Sequence, residues 1–309
     1  MEPLELIVVG KETVAADTVK LTLQRLDGGP LPAAQPGAHI VLDLEGLVRR
    51  YSLLRADAAP TRYEIGVLRA ANSRGGSRFI HEQLVVGSRL SLLDVANEFI
   101  LDTDSPHVLL LGGGIGITPL LSMASHLGTK GRSFALRHVV RDAARQWPLP
   151  SGPLESRGSL ASVHIGRASL DLRKLLGEQP PGTHVYVCGP AGFIDAVRSA
   201  SSEAGWPAHR IHAESFGAVV DASDAPLRVT LTQSGSTLHV APGTSLLDAL
   251  LAAGVWTSYE CRRGVCGACL TEVVRGEPVH RDTLAPDVRM GAMCTCVSWA
   301  RGPELVLNL

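Results

Sequence analysis

The chain lacks any apolar run long enough to cross a bilayer. A membrane helix needs about 20 consecutive apolar residues. The longest apolar stretch, His107–Leu121, is interrupted by Gly112, Gly113, Gly114 and Gly116. The N-terminal run MEPLELIVVGKETV starts acidic and is too short in apolar residues for a secretory signal, so a cytoplasmic location is expected. Neither sign of charge is in excess. With 29 basic and 30 acidic side chains the formal net charge is −1, which argues against a broad basic face for nucleic acid. Lysine is scarce, with four in all, and arginine carries the positive charge. Internal repeats and low-complexity segments are also missing. The composition, 45% hydrophobic and 19% charged, excludes wholesale disorder, and 309 residues are too many for one core. Two or three domains are expected.

What is present is concentrated at the C-terminal end. Cys188 stands alone, whereas Cys261, Cys266, Cys269, Cys294 and Cys296 fall in the last 49 residues. Clustered cysteines in a chain expected to be cytosolic point to metal or redox chemistry rather than disulfides. The run CRRGVCGAC spaces three thiols as Cys-x4-Cys-x2-Cys, and a fourth follows after 24 or 26 residues, at Cys294 or Cys296. Three close thiolates and a distant fourth form the plant-type pattern for a [2Fe–2S] cluster. Gly264 and Gly267 allow a loop to wind tightly round such a cluster. Structural zinc prefers two paired hooks, and Cys294-Thr-Cys296 is a poor second hook. Spacing alone does not choose between Cys294 and Cys296.

Three composition blocks precede and include this loop. Up to about residue 100, short alternating runs (ELIVVG, TVKLTLQRL, HIVLDL, RRYSLL, RYEIGVL) suggest an antiparallel barrel or sandwich, with SRFIHEQL as a helix. From about 105 to 220, HVLLLGGGIGITPLLSMASHL reads as strand, Gly-rich turn and helix. SFALRHVVR, ASVHIG and THVYVCGP read as further strands, with IDAVRSASSEAG as an interposed helix. That alternation implies a parallel α/β sheet. RQWPLPSGPLESRGS reads as a loop, and FGAVVDASDAP at 216–226 as a linker. The remainder gives a hairpin, an amphipathic helix and the cysteine loop.

The turn Gly112-Gly-Gly-Ile-Gly-Ile-Thr-Pro119 lets backbone approach a phosphate at a helix start, which suits a dinucleotide pyrophosphate at Gly113 and Gly114. It has neither the GxGxxG spacing nor a P-loop lysine; taken alone, a tight packing turn is its bland reading. Cys188-Gly189-Pro190 supports the ligand reading, because it follows an apolar strand where open α/β sheets bind ligands.

With these residues in place, the chain resembles the reductase components of Rieske-type oxygenases, the family of phthalate dioxygenase reductase and vanillate O-demethylase reductase. The resemblance runs nearly end to end and joins RxYSL, GGGIGITP with CGP, and Cys-x4-Cys-x2-Cys with CVS in one order. It implies three domains: an N-terminal antiparallel flavin-binding β-barrel (1–102), a central parallel α/β nucleotide-binding domain (103–222), and a C-terminal plant-type ferredoxin of the β-grasp type (226–309). It implies FMN, with FAD the alternative, a [2Fe–2S] cluster, and NADH as donor.

Residue by residue, the resemblance assigns Arg49 to the flavin phosphate, Tyr51 to the ring and Ser52 to the neighbourhood of N5, with Leu53 completing the motif. Gly66, Val67 and Leu68 would line the flavin. Gly75, Gly76 and Ser77 would form a phosphate turn, with Arg74 and Arg78 adding charge. Thr118 and Cys188 would stand beside the nicotinamide, and Phe216, in the ending Glu214-Ser-Phe, near the flavin. Arg141 and Asp142 match the ribose strand loosely. An acid there favours NADH over NADPH, while Arg141 argues the other way. Among the late cysteines, Cys296 matches the CVS ligand, which completes the set Cys261, Cys266, Cys269 and Cys296.

The implied chemistry converts a two-electron donor into single electrons for a terminal oxygenase, so positioning matters more than acid–base catalysis. Ser52, Thr118, Cys188 and Phe216 are the candidates for that positioning. The partner is expected to dock transiently near the cluster loop, with Arg262 and Arg263 as candidate contacts, and the protein is expected to be a monomer. Residues 227–309 carry seven Arg and seven acidic side chains, so no strong steering by the whole domain is expected. An FAD reductase serving another acceptor, and a redox sensor without turnover, are the alternative functions.

Overall fold

The computed structural model describes residues 3–70, 75–149, 160–216, 224–260, 262–282, 284 and 286–309. The chain divides into two compact units, residues 1–189 with 196–213, and residues 190–195 with 214–309.

The first unit holds two sheets. β1 (Leu4–Ala15), β2 (Thr18–Arg25), β3 (His39–Leu44), β4 (Leu47–Ser52), β5 (Tyr63–Leu68) and β6 (Arg89–Ala96) form an antiparallel sheet in the order β4-β3-β6-β1-β2-β5. A bridge between Leu53 and Ile65 brings the two ends together, which closes it as a barrel. Alternation dictates the filling: Leu21, Leu23, Ile40, Leu42, Leu44 and Ile65 point inward and are fully buried. The helix α1 (Gly76–Glu82) follows β5 and adds Ile80 to this core. β6 was not expected from the sequence. Its pairing with β3 slips between Val41 and Leu42, so the alternation of RLSLLDVA is broken.

The second sheet is built from β7 (Val108–Gly113), β8 (Phe134–Val140), β9 (Leu160–Ile165), β10 (His184–Cys188) and β11 (Ile211–Glu214), in the order β11-β10-β7-β8-β9. The pairs β10/β7, β7/β8 and β8/β9 are parallel. The run VLLLGG is buried along its whole length, as a central parallel strand must be. Three helices connect these strands: α2 (Ile117–Thr129), α3 (Leu172–Gly177) and α4 (Ala191–Glu203). α4, the expected IDAVRSASSEAG helix, lies after β10 and before the short edge strand β11. The order reverses between β7 and β10, so their C-terminal ends form the topological switch point.

The second unit carries a five-stranded sheet. β12 (Leu227–Leu231) and β13 (Thr237–Val240) form the hairpin, and α5 (Leu246–Ala252) follows with Leu246 and Leu250 in the core. β14 (Leu270–Arg275), β15 (Pro278–Val279), α6 (Pro286–Arg289), β16 (Ala292–Cys294), β17 (Trp299–Ala300) and β18 (Glu304–Leu307) complete it, in the order β13-β12-β18-β14-β16 with β15 paired to β17. The hairpin, the packed helix and the parallel β12/β18 pair give the expected β-grasp arrangement. Among the described residues, no helix is long and apolar enough to cross a membrane.

Candidate functional site: a flavin cradle, a nucleotide switch point and a cysteine loop

The RxYSL motif occupies the end of β4, facing β3 with Ile40 opposite Tyr51 and His39 opposite Ser52. Ser52 and Leu53 are buried, and Tyr51 packs half-buried against the barrel core. Burial pushes the Tyr51 phenol above its ordinary pKa, against a smaller opposing effect of Arg49, so the ring stays neutral. The Arg49 side chain runs across Gly76. A Cβ on Gly76 would lie 2.7 Å from Arg49 Cγ and Nε, and one on Gly75, at φ +96°, would lie 2.8 Å from Leu47. The two glycines therefore let the turn approach the arginine. Ser77 Oγ accepts from Ala70 N at 3.2 Å, which holds the start of α1 against the end of β5. This cradle of backbone N–H groups and a guanidinium suits a phosphate. Arg74 lies outside the described residues.

At the switch point Gly112 pairs in register with Cys188. A Cβ on Gly116 would fall 2.3 Å from the Cys188 carbonyl oxygen, so the Gly-rich turn presses on the CGP segment where no other residue fits. Cys188 is fully buried. Gly114 adopts φ +55°, and its carbonyl receives a hydrogen bond from buried His138 Nε2 at 3.0 Å. Burial holds His138 below its ordinary pKa, which keeps the ring neutral, with the Nε2 proton on that bond. Nothing in the sequence singled out His138, because a lone histidine on an apolar strand reads first as packing.

Thr118 begins α2, is buried, and donates from Oγ1 to the Ile115 carbonyl at 3.0 Å. Its methyl group faces the barrel. A Cβ on Gly66 would lie 2.8 Å from Thr118 Cγ2 and 2.7 Å from Trp147 Cζ3. The strand Gly66-Val67-Leu68 and the Gly-rich turn of the second sheet thus meet at Thr118. Trp147 was missed in the sequence because it sits in a Pro-rich stretch that reads as a loop; it is buried at this contact. Residues 150–159 of that stretch lie outside the described residues. Arg145, also missed, bonds Asp142 at 3.2 Å and Asp17 at 3.1 Å. Arg141 and Asp142 are exposed at the end of β8.

In the second unit, Phe216 is 40% exposed and Glu214 is buried. Most of the expected 216–226 linker, residues 217–223, lies outside the described residues, as does Cys261. Of the other expected ligands, Cys269 and Cys296 are buried with sulfurs 3.2 Å apart, and Cys266 is exposed, receiving Ala268 N at 3.5 Å. Contacts from the Cys294 thiol first and the Cys296 thiol second push Cys269 down to about 3, against burial, while Cys294 is pushed upward. Among the described residues no three His, Cys, Asp or Glu side chains are placed to hold a single metal ion. Gly264 and Gly267 adopt φ +68° and +76°, and a Cβ on Gly264 would lie 2.6 Å from Val297 and 2.8 Å from Asp282. Buried Asp282 accepts from Arg289 Nε at 2.8 Å, Leu284 N at 3.1 Å and Ser298 Oγ at 3.2 Å, which ties its own segment to the one that follows Cys296. A thiolate donor set on a glycine-wound loop fits an iron–sulfur cluster. The two arginines of the loop are not both surface groups. Arg263 is turned inward, 11% exposed, and bonds Glu214, which corrects its expected place in a docking face. Arg262, at φ +54°, lies over Tyr259 and bonds Asp248.

Comparison with known proteins agrees. The profile of the 2Fe-2S iron-sulfur cluster binding domain matches residues 229–301. The vanillate O-demethylase oxidoreductase of Pseudomonas sp. (strain HR199) is 37% identical over 99% of this chain and 100% of its own. The phthalate dioxygenase reductase of Burkholderia cepacia is 34% identical over 99% and 97%. A solved structure of a phthalate dioxygenase reductase, described as modular for electron transfer from pyridine nucleotides to [2Fe-2S], covers 100% of this chain and 98% of its own, with a TM-score of 0.74 and 34% identity. The chain therefore belongs to the family of vanillate O-demethylase oxidoreductase and phthalate dioxygenase reductase, and is an NADH-dependent flavin and [2Fe–2S] oxidoreductase of the kind that supplies electrons to an oxygenase.

Proposed function

We propose that this protein takes hydride from NADH onto FMN and delivers single electrons through its [2Fe–2S] cluster to a terminal Rieske-type oxygenase. The observation that carries the reading is the meeting of Gly66 with Thr118, which joins the flavin strand to the nucleotide turn. When bound, the flavin supplies the conversion between a hydride and single electrons.

In this reading Arg49, Gly75, Gly76 and Ser77 hold the FMN phosphate. Tyr51, Ser52, Leu53, Gly66, Val67 and Leu68 hold the ring. Gly113 and Gly114 receive the pyrophosphate, Gly189 and Pro190 belong to the nucleotide-binding segment that follows Cys188, and Arg141 and Asp142 receive the adenosine ribose. Thr118, Cys188 and Phe216 shape the approach of the nicotinamide. The neutral Tyr51 ring and the buried Thr118 methyl exclude water there. Cys261, Cys266, Cys269 and Cys296 hold the cluster. Within the two compact units, the three sheets support a reading as a flavin domain over 1–102, a nucleotide domain over 103–222 and a ferredoxin domain over 226–309. Partner docking is transient, the protein is a monomer, and it acts in the cytoplasm. An exposed Trp256, 81% accessible and five residues before Cys261, supports a docking role for this end of the ferredoxin domain.

Acid release and mass analysis of the flavin, with kcat/KM for NADH and NADPH, tests the reading. FMN and a preference for NADH are expected. FAD, or a preference for NADPH, would overturn the respective assignment.

A further inference from the structure

The buried ion pair between Glu214 and Arg263 has no part in the assignments above. Arg263 Nη1 donates to Glu214 Oε1 at 3.3 Å, with side chains 11% and 4% exposed. Arg263 lies in the cluster loop, two residues after Cys261 and three before Cys266. Glu214 ends β11, two residues before Phe216. Its neighbour Arg262 is different: the Arg262–Asp248 pair is 46% and 45% exposed, so solvent screens it. A charge inside the protein is screened far less than one at the surface.

We propose that Glu214 and Arg263 are a positioning pair that anchors the cluster loop and sets the cluster's reduction potential by holding a compensated charge beside it. The proposal rests on the reading of Cys261, Cys266, Cys269 and Cys296 as cluster ligands. Reduction adds one negative charge to the cluster. An uncompensated cation in the loop favours the reduced state, and an uncompensated anion opposes it. The two partners therefore carry opposite signs of influence, which a purely mechanical anchor does not.

The test is an EPR-monitored redox titration of the full-length holoprotein, with iron and flavin contents measured on each sample. Glu214→Gln is expected to raise the cluster potential, because it removes a negative charge from the pair. Arg263→Gln is expected to lower it. The double variant E214Q/R263Q, which removes both charges of the pair, is expected to return close to the wild-type potential, and the flavin potential is expected to move less than that of the cluster in all three. Shifts of the same sign in both single variants, or none in either, would overturn the proposal. If a single variant loses its cluster, Arg263→Lys and Glu214→Asp decide: a potential within error of wild type in both supports the pair as a charge device, and cluster loss in both overturns it. A wild-type protein that holds no cluster overturns the ligand assignment itself, a separate result from same-sign shifts.

Discussion

Replacing Gly66 by alanine tests the junction between the flavin strand and the nucleotide turn. The added Cβ would sit 2.7 Å from Trp147 Cζ3 and 2.8 Å from both Trp147 Cη2 and Thr118 Cγ2. Ordinary contact begins at 3.4 Å, so the neighbours must retreat by about 0.7 Å. Both are buried and neither is the free end of a flexible chain: Trp147 is 6% exposed, and Thr118 is held by its bond to Ile115. Overpacking of this kind costs about 1–3 kcal/mol. The kinetic effect is larger in proportion, because a misplacement of about 1 Å can cost roughly 100-fold in a step that depends on near-attack geometry. Hydride transfer in Gly66→Ala is therefore expected to slow by roughly 10- to 100-fold, with a melting temperature a few degrees lower. Anaerobic stopped-flow bleaching of the flavin by NADH reads the first quantity and a thermal melt reads the second. Adding Trp147→Leu should restore part of the stability by removing the closest ring atoms. A Gly66→Ala protein with wild-type flavin reduction and melting would refute the packing described at this junction.

Three other outcomes are expected. Arg49→Gln should weaken flavin retention roughly 10- to 150-fold, the worth of a charge-assisted bond of about 1.5–3 kcal/mol, as read by flavin release on dilution; unchanged retention would remove Arg49 from the phosphate site. Cys296→Ser should abolish the cluster's visible absorption while Cys294→Ser retains it, and the reverse pattern would reassign the fourth ligand. Burial, with a smaller contribution from His184, holds His212 down to about 4, so the unfolded chain takes up its proton first and stability falls as pH drops from about 6.5 toward 4. His212→Phe, which keeps the stack on Tyr186 at a ring distance of 4.4 Å, should flatten that acid limb in denaturant titrations; an unchanged limb would assign it to other groups.

Much of this architecture is legible in the residues because local rules and the fold agree. The run VLLLGG is apolar and Gly-terminated, so it reads as a central strand ending at a ligand turn, and it is one. The cysteine spacing names the cluster type because three ligands on a glycine-wound loop and a distant fourth make the plant-type pattern. What escaped the sequence depends on partners distant along the chain. β11 is a four-residue edge strand containing a histidine and a glutamate, too short and polar to show a period. Arg145 meets Asp17 across 128 residues, and Arg263 meets Glu214 across 49, so neither pairing has a local signature. Trp147 reads as part of a loop because Pro148 and Pro150 follow it, and only the notch left by Gly66 gives it a place.

The most direct test of the account is an anaerobic titration of the purified protein with NADH, followed in the visible. Flavin absorption at about 450 nm and a broad cluster shoulder at about 550 nm are expected, both bleaching as NADH is added. A cluster shoulder that dithionite bleaches but NADH leaves intact would contradict it.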